Sequence, residues 1–338
     1  MTSKKLLLTG AAGFIGANTL EYFNNTDGYR VTTVIDKLTY AADVDNLQRL
    51  MLKDTAFYGC DIYDANWEHI LQREDPDVVI NFAAESHVDN SLLPHTADAF
   101  IRSNCHAVVR MVNALREHNH KNRSVYLIQV STDEVLGDLP FDSLEELDEE
   151  QPLNPNNLYS ATKASAECLI RSLYHSHGDF DYTIARATNN YGPYQHFEKF
   201  VPTIISRAAS NDSVPVYGSG KNVREWLWAG DFAHGLHLLM QKYFQDSTCV
   251  TDHVFHFGSG ERSSNIDIAE LVLSLMGKPR SLIEMVQDRP GHDRRYALCS
   301  QKAWNVLCWE SCMELETGLR TVIRDVLNRK RVQQCPQH

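Results

Sequence analysis

Residues 129–135 read QVSTDEV, and four hydrophilic side chains, Ser131, Thr132, Asp133 and Glu134, stand where an apolar run should leave a sheet. Two neighbouring carboxyl groups can share acid and base work if their surroundings keep one protonated and the other ionised. Adjacent residues at a strand end point in different directions, so such a pair can address two neighbouring atoms of one substrate. A purely local alternative exists: Ser131 and Glu134 have the spacing of a helix capping box. Further along, Tyr159 and Lys163 in YSATK stand four apart, which on a helix places both side chains on one face. An ammonium beside a phenol favours the phenolate, lowering a pKa of about 10 toward neutrality and making a base. Tyrosine and lysine at this spacing also occur on ordinary amphipathic helices, so the pair needs a context.

Short apolar runs alternating with helical patterns supply one. Strands are expected at 5–9, 30–36, 55–59, 77–83, 124–130 and 182–187, with helices near 14–24, 64–73, 97–118 and 157–177. That alternation predicts an α/β fold, a doubly wound parallel (Rossmann-type) sheet with helices on both faces. Beyond residue 190 the pattern loosens, with helices expected near 198–210, 231–244, 265–276 and 314–328, and predicts a smaller C-terminal α/β substrate-binding domain. The expected division is 1–188 for a dinucleotide-binding domain and 189–330 for the substrate domain, with segments interleaved. The acidic stretch 142–157 shows no apolar face and reads as a surface loop.

With 32 basic and 44 acidic residues among 338, the formal net charge is −12, which disfavours nucleic acid and anionic membranes as partners. Eight cysteines follow no paired spacing, predicting reduced thiols and no metal site. The opening SKKLLLTGAAGFIGA has the outline of a secretory signal, but its glycines at 10, 13 and 16 suit a specific loop better, and a cytoplasmic location is expected. No apolar run approaches the roughly 20 residues of a membrane span.

Gly10, Gly13 and Gly16 lie between the first strand and first helix, where backbone must approach a pyrophosphate and a helix N-terminus stabilises its charge. The spacing is GxxGxxG rather than GxGxxG, so position carries the argument. Asp36 ends the second strand and would bond the adenosine ribose hydroxyls while repelling a 2′-phosphate, which favours NAD over NADP. Lys37 beside it pulls the other way. Asp61 and Ile62 after the third strand, and Ala83, Ala84 and Ser86 after the fourth, occupy the carboxyl ends along which a dinucleotide runs.

Together these features resemble the extended, nucleotide-sugar branch of the short-chain dehydrogenase/reductase family. TGAAGFIGAN, IDKLTYAADVDNL, NFAAESHVDNS, QVSTDEVLGDL, YSATKASAE, NNYGPY, EKFVP, VREWLW and DRPGHDRRY, in that order, resemble the dTDP-glucose 4,6-dehydratases nearly end to end. The resemblance implies tightly held NAD, a homodimer closed through a helix bundle, and a nucleotide-sugar substrate lying between the domains. It implies that Thr132 bonds the substrate hydroxyl, Tyr159 removes its proton and Lys163 holds the ribose and tunes Tyr159, aided by the nicotinamide charge. Once C4 is a ketone the C5 proton is acidified; Glu134 would take that proton and Asp133 would protonate the departing C6 hydroxyl. Phe14, Ile15, Ser103 and Asn190 join the cofactor contacts. Ser86, Thr132, Asn189, Lys199, Pro215, Tyr217, Arg224, Asn265, Arg289 and His292 form the implied substrate set, with Arg224 suited to gripping phosphate. For Arg289 and His292 the alternative is a loop folded on its own ion pairs. His87 and His196 lie in matching segments without an assigned role.

Three positions depart from the resemblance: Leu136 stands where a tyrosine is usual, QHFEK at 195–199 lacks a proline, and Cys299 replaces a common aspartate. None removes a proton-transfer group. Competing readings are a 4-epimerase, a dehydratase acting on a UDP- or CDP-sugar, and an NAD-binding protein without turnover. An epimerase has no use for Asp133 and Glu134.

Overall fold

Leu6 and Leu8 pack into one hydrophobic cluster and Leu7 into another, all fully buried, because successive side chains of a strand face opposite sides of its sheet. A strand apolar on both faces needs cover on both, which a parallel sheet between two helix layers provides. The computed structural model describes residues 3–93, 95–288 and 291–334. Its strands are β1 (Lys4–Thr9), β2 (Tyr29–Ile35), β3 (Ala56–Tyr58), β4 (Val78–Asn81), β5 (Tyr126–Thr132), β6 (Asp181–Ala187), β7 (Asn189–Tyr191), β8 (Val214–Tyr217), β9 (Val223–Trp228), β10 (His253–Phe257), β11 (Arg262–Ser264) and β12 (Ile283–Val286).

Seven of them form one parallel sheet in the order β10-β6-β5-β4-β1-β2-β3. The chain steps outward from β1 to β3, then returns to β4 on the other side of β1. The crevice beyond the carboxyl ends of β1 and β4 is therefore the topological switch point, where open α/β sheets take ligands. Helices Phe14–Asn24 and Ala229–Gln245 cover one face through Leu20, Phe23, Phe232 and Leu236. Trp67–Glu74, Ala107–Lys121 and Leu158–His177 cover the other through Ile70, Met111, Leu115 and Ile170.

A second lobe is built from the β11-β9-β7 and β12-β8 sheets. Helices Phe200–Ser210, Asn265–Leu275 and Leu315–Gln334 share its core through Ile204, Val214, Ile268 and Val322. Segments cross between the lobes: β10 and helix Ala229–Gln245 come from the C-terminal half yet complete the large sheet and its cover.

Several expected boundaries move. β5 runs two residues past Val130, so Ser131 and Thr132 belong to the strand and a short 3-10 turn, Asp133–Leu136, follows. The capping box between Ser131 and Glu134 does not form: Thr132 Oγ1 accepts from Glu134 N at 3.4 Å, while Ser131 is turned inward and donates to Glu167 Oε1 at 2.5 Å. The helix expected across 97–118 is broken by a π turn at Arg102–His106. The acidic 142–157 stretch is anchored: Leu147 and Leu153 pack on Val135, Leu136 and Leu298, and Glu149 Oε1 accepts from His256 N at 2.9 Å.

Candidate active site

The glycine loop is shaped by sterics at two positions. Gly10 has φ +70°, and a Cβ there would lie 2.8 Å from Ala83 N, so β1 and β4 can end side by side only with glycine at this point. A Cβ on Gly16 would lie 2.4 Å from Gly10 O, so the first helix turn also closes onto the loop only without a side chain. Asp36 is buried at the tip of β2, and its carboxylate accepts from Ala12 N at 2.9 Å and Leu38 N at 2.8 Å. Each carboxylate oxygen keeps acceptor capacity for a further donor. Lys37, the residue that argued for a phosphorylated ribose, is held by Glu85 at 2.7 Å, Ser103 Oγ at 3.1 Å and Asp61 at 3.4 Å, so two acids already neutralise it. The π turn presents Ser103 here, and Asn104 beside it donates to Glu85 O at 3.0 Å and Thr162 Oγ1 at 2.9 Å.

At the mouth of β5 the two carboxyls meet different surroundings. Asp133 is 3 % exposed; its Oδ1 accepts from Thr132 Oγ1 at 3.1 Å, and its Oδ2 is buried without a hydrogen-bond partner. Burial first, then the neighbouring charge of Glu134, raise the Asp133 carboxyl well above the usual range, which favours the protonated form. Glu134 is less deeply buried, and its Oε2 accepts from Asn157 Nδ2 at 3.3 Å. Tyr159 stands beside Thr132, whose hydroxyl favours the ionised phenol. Lys163 donates from Nζ to Val130 O at 2.7 Å, and burial brings its ammonium down to about 8 against the smaller opposing pull of Glu167.

The expected depression of the Tyr159 phenol is not what the protein's own groups produce. Burial, and then the charges of Glu134 and Asp133, push it upward, while Thr132 opposes them weakly. Two carboxyls and a dry setting outweigh a lysine whose ammonium is occupied by a backbone carbonyl.

A cleft of about 330 Å³ at the switch point brings these residues together. Lining it are Gly10, Gly13, Phe14, Ile15, Gly16, Asp36, Lys37, Asp61, Ile62, Ala83, Ala84, Ser86, Ser103 and Asn190, together with Thr132, Asp133, Glu134, Tyr159 and Lys163. Of the substrate set, Ser86, Thr132, Asn189 and Lys199 share the cleft, while Pro215, Tyr217, Arg224, Asn265 and His292 do not line it, though Arg224 lies near enough for its charge to act on Asp133. Arg224 is buried, stacked 4.5 Å from the Tyr296 ring, with Nη1 on Val223 O and Nη2 on Asp293 O, both at 2.9 Å. His292 Nδ1 lies 2.7 Å from Asp288, so this loop does carry an internal pair of the kind weighed above. Arg289 lies outside the described residues.

Sequence reasoning named Asn190 but missed its neighbours Thr188 and Gln195. Besides Asp133 Oδ2, the cleft atoms Thr188 Oγ1, Asn190 Oδ1 and Gln195 Oε1 are buried without partners. Orphaned donors and acceptors in one cleft are costly unless a polar ligand meets them, and a carboxamide-bearing dinucleotide fits that need. Beneath them Arg186 and Glu167 pair at 2.6 Å, with Ser131 and His256 completing a buried network. The only signal for it was the charged residues inside otherwise apolar elements. Leu136 does not line the cleft; it packs with Val135, Ala164 and Leu298.

Residues 7–322 match the family described as GDP-mannose 4,6 dehydratase. The low-salt glycan biosynthesis protein Agl12 of Haloferax volcanii is 38 % identical over 94 % of this chain and 97 % of its own. The dTDP-glucose 4,6-dehydratase of Xanthomonas campestris pv. campestris is 36 % identical over 94 % of this chain and 91 % of its own. Among solved structures, the dTDP-glucose 4,6-dehydratase of Bacillus anthracis in complex with NAD superposes with a TM-score of 0.86 at 30 % identity, covering 97 % of this chain and 98 % of that one.

Proposed function

Because the chain belongs to the GDP-mannose 4,6 dehydratase family, we propose that its cleft dehydrates dTDP-glucose to dTDP-4-keto-6-deoxyglucose with NAD as a reusable carrier. The observation that carries this reading is the unlike pair at the end of β5: a buried Asp133 carboxyl, held toward its protonated form with one oxygen unpartnered, beside Glu134, whose carboxylate is held by an amide. An epimerase exchanges only the C4 configuration and needs neither. The loop from Gly10 to Gly16 and Asp36 hold the dinucleotide's pyrophosphate and adenosine ribose, Lys163 its second ribose, and Thr188, Asn190 and Gln195 its carboxamide end.

Bound there, NAD would supply a hydride acceptor for C4, a hydride donor for C6 once reduced, and a positive charge beside Tyr159. Thr132 positions the C4 hydroxyl, and the Tyr159 oxygen takes its proton. With C4 a ketone, the Glu134 carboxylate removes the C5 proton; the freed electron pair forms C5=C6 as the C6–O bond breaks, and Asp133 delivers its proton so that water leaves. Glu134 then returns its proton to C5. Tyr159 ends one proton richer and Asp133 one poorer. Thr132, bonded to Asp133 and beside Tyr159, offers the path that resets them.

The test is a mass spectrum of products from dTDP-, UDP- and CDP-glucose. Loss of one water from dTDP-glucose without net NADH is expected; loss only from the UDP or CDP sugar rejects the nucleotide assignment, and a mass-neutral product supports an epimerase.

The same reading includes a cytoplasmic homodimer. Free thiols at Cys60, Cys105, Cys168, Cys249, Cys299, Cys308 and Cys312 suit a reducing compartment, and no described helix is long and apolar enough to cross a membrane. An apolar groove lined by Val109, Leu153, Pro155, Ala161, Ala164 and Leu169 runs along helices Ala107–Lys121 and Leu158–His177, a face that a second copy would cover. Light scattering checks the assembly.

A further inference from the structure

Asn157 stands between the strand end that carries Glu134 and the helix that carries Tyr159 and Lys163. Its Oδ1 accepts from Ser160 N at 2.9 Å and its own N donates to Ser160 Oγ at 3.2 Å, closing a capping box on helix Leu158–His177. The other end of the same amide, Nδ2, donates to Glu134 Oε2 at 3.3 Å. Many residues cap a helix, but a carboxamide both accepts and donates in fixed opposite directions. Aspartate accepts only, and serine is too short to span from the cap to a second side chain. One side chain therefore sets the start of the helix with its oxygen and the orientation of a carboxylate with its nitrogen.

The tie extends into the second lobe. Asn156, next in the chain, donates from Nδ2 to Asp293 Oδ1 at 2.6 Å. The Asp293 carbonyl accepts from Arg224 Nη2 at 2.9 Å and from Asn222 Nδ2 at 3.0 Å. Tyr296, stacked under Arg224, donates its hydroxyl to the Asp293 carboxylate.

We propose that Asn157 is a positioning residue for Glu134, fixing the acceptor of the C5 proton against the helix that carries Tyr159, and that the Asn156–Asp293–Arg224 contacts hold this pair in register with the substrate lobe. The inference rests on the dehydration proposed above. Glu134 must lose its proton before C5 is attacked, and an N–H donated to a carboxylate favours the ionised state and holds its lone pair in one direction. The N-terminus of helix Leu158–His177 adds positive potential at the same carboxylate.

Two substitutions separate capping from positioning. Asn157→Ser keeps an accepting cap and deletes the donor; Asn157→Asp keeps the cap and sets a second carboxylate against Glu134. Asn157→Ser should unfold near the wild-type midpoint, because serine caps about as well as asparagine; Asn157→Asp should match it only at a pH low enough to protonate the pair and fall below it once both carboxyls ionise. Asn157→Ser should slow C5 hydrogen exchange about tenfold while leaving the first, oxidative half-reaction and the KM nearly intact. Asn157→Asp should move the alkaline-rising limb of exchange upward by about one pH unit, because a like charge disfavours ionisation of its neighbour. NAD-loaded protein carrying carboxyl-labelled glutamate, with the Glu134 signal assigned by Glu134→Gln, should show the same upward displacement by NMR titration without any sugar present. That readout survives even if the substrate assignment fails. Unchanged Glu134 titration and unchanged exchange in both variants would overturn the proposal, as would equal loss of midpoint and of both half-reactions, which marks a cap alone.

Discussion

Replacing Asp133 by asparagine should stabilise the folded chain as pH rises, against the usual cost of changing a buried polar residue. The carboxyl is 3 % exposed, and burial together with Glu134 raises it well above the usual range. Unfolded, an aspartate ionises near 3.9. Between that pH and the higher folded value, the folded state holds a proton that the unfolded state has released, so wild-type stability falls as pH rises. The slope reaches about 1.4 kcal/mol per pH unit. The substituted carboxamide has no such proton to release. Its oxygen can keep the bond from Thr132, and its nitrogen falls where the unpartnered Oδ2 of Asp133 now sits, so the packing change is small. Urea unfolding of both proteins at pH 5 and pH 6 should show the Asp133→Asn advantage widening by up to about 1.4 kcal/mol. Turnover should fall by about 10²–10⁴, the range for losing a general acid, while NADH accumulates because the oxidative half-reaction remains. Parallel stability curves, with no widening between the two pH values, would refute the protonated-acid assignment.

Glu134→Gln should retain NAD yet stop exchange of the C5 hydrogen with solvent, read by mass spectrometry in D₂O; exchange at the wild-type rate would remove Glu134 as the base. Gly10→Ala forces a left-handed backbone on a residue with a Cβ and drives that carbon against Ala83 N, so a loss of about 2–3 kcal/mol and of NAD affinity is expected by denaturant titration and fluorescence. Lys163 titrates near 8 in the folded chain against 10.5 in the reference state, so it opposes folding below pH 8 and stops doing so as pH rises toward 10.5. Lys163→Met lacks that dependence, and its stability relative to wild type should fall by about 3 kcal/mol between pH 7 and pH 10.5; an unchanging difference would contradict the burial of the ammonium.

The large sheet was legible because its strands are apolar on both faces and its first turn is written in glycines. Leu6, Leu7 and Leu8 needed no context to be placed in a covered strand. The residues lining the cleft were legible by position, since strand carboxyl ends converge at a switch point that strand order alone locates. What escaped were contacts between distant segments. Nothing local in RSNCH announces a π turn, and nothing in NPNNLYS distinguishes a capping asparagine from one that also grips Glu134. β10 was missed because HVFHF is short and its place in the sheet depends on β6, far earlier in the chain. Tyr159 shows the same limit: i, i+4 spacing shows that Lys163 is near, but not that Val130 O holds its ammonium or that two carboxyls crowd the phenol.

The fate of a single deuterium tests the whole sequence of steps most directly. Unlabelled enzyme given dTDP-[4-²H]glucose in ordinary water should yield a 4-keto product whose C6 methyl carries the deuterium, with no NADH left in solution, because the hydride removed at C4 returns to the same sugar. Deuterium recovered at C4, or released with free reduced cofactor, would contradict the account.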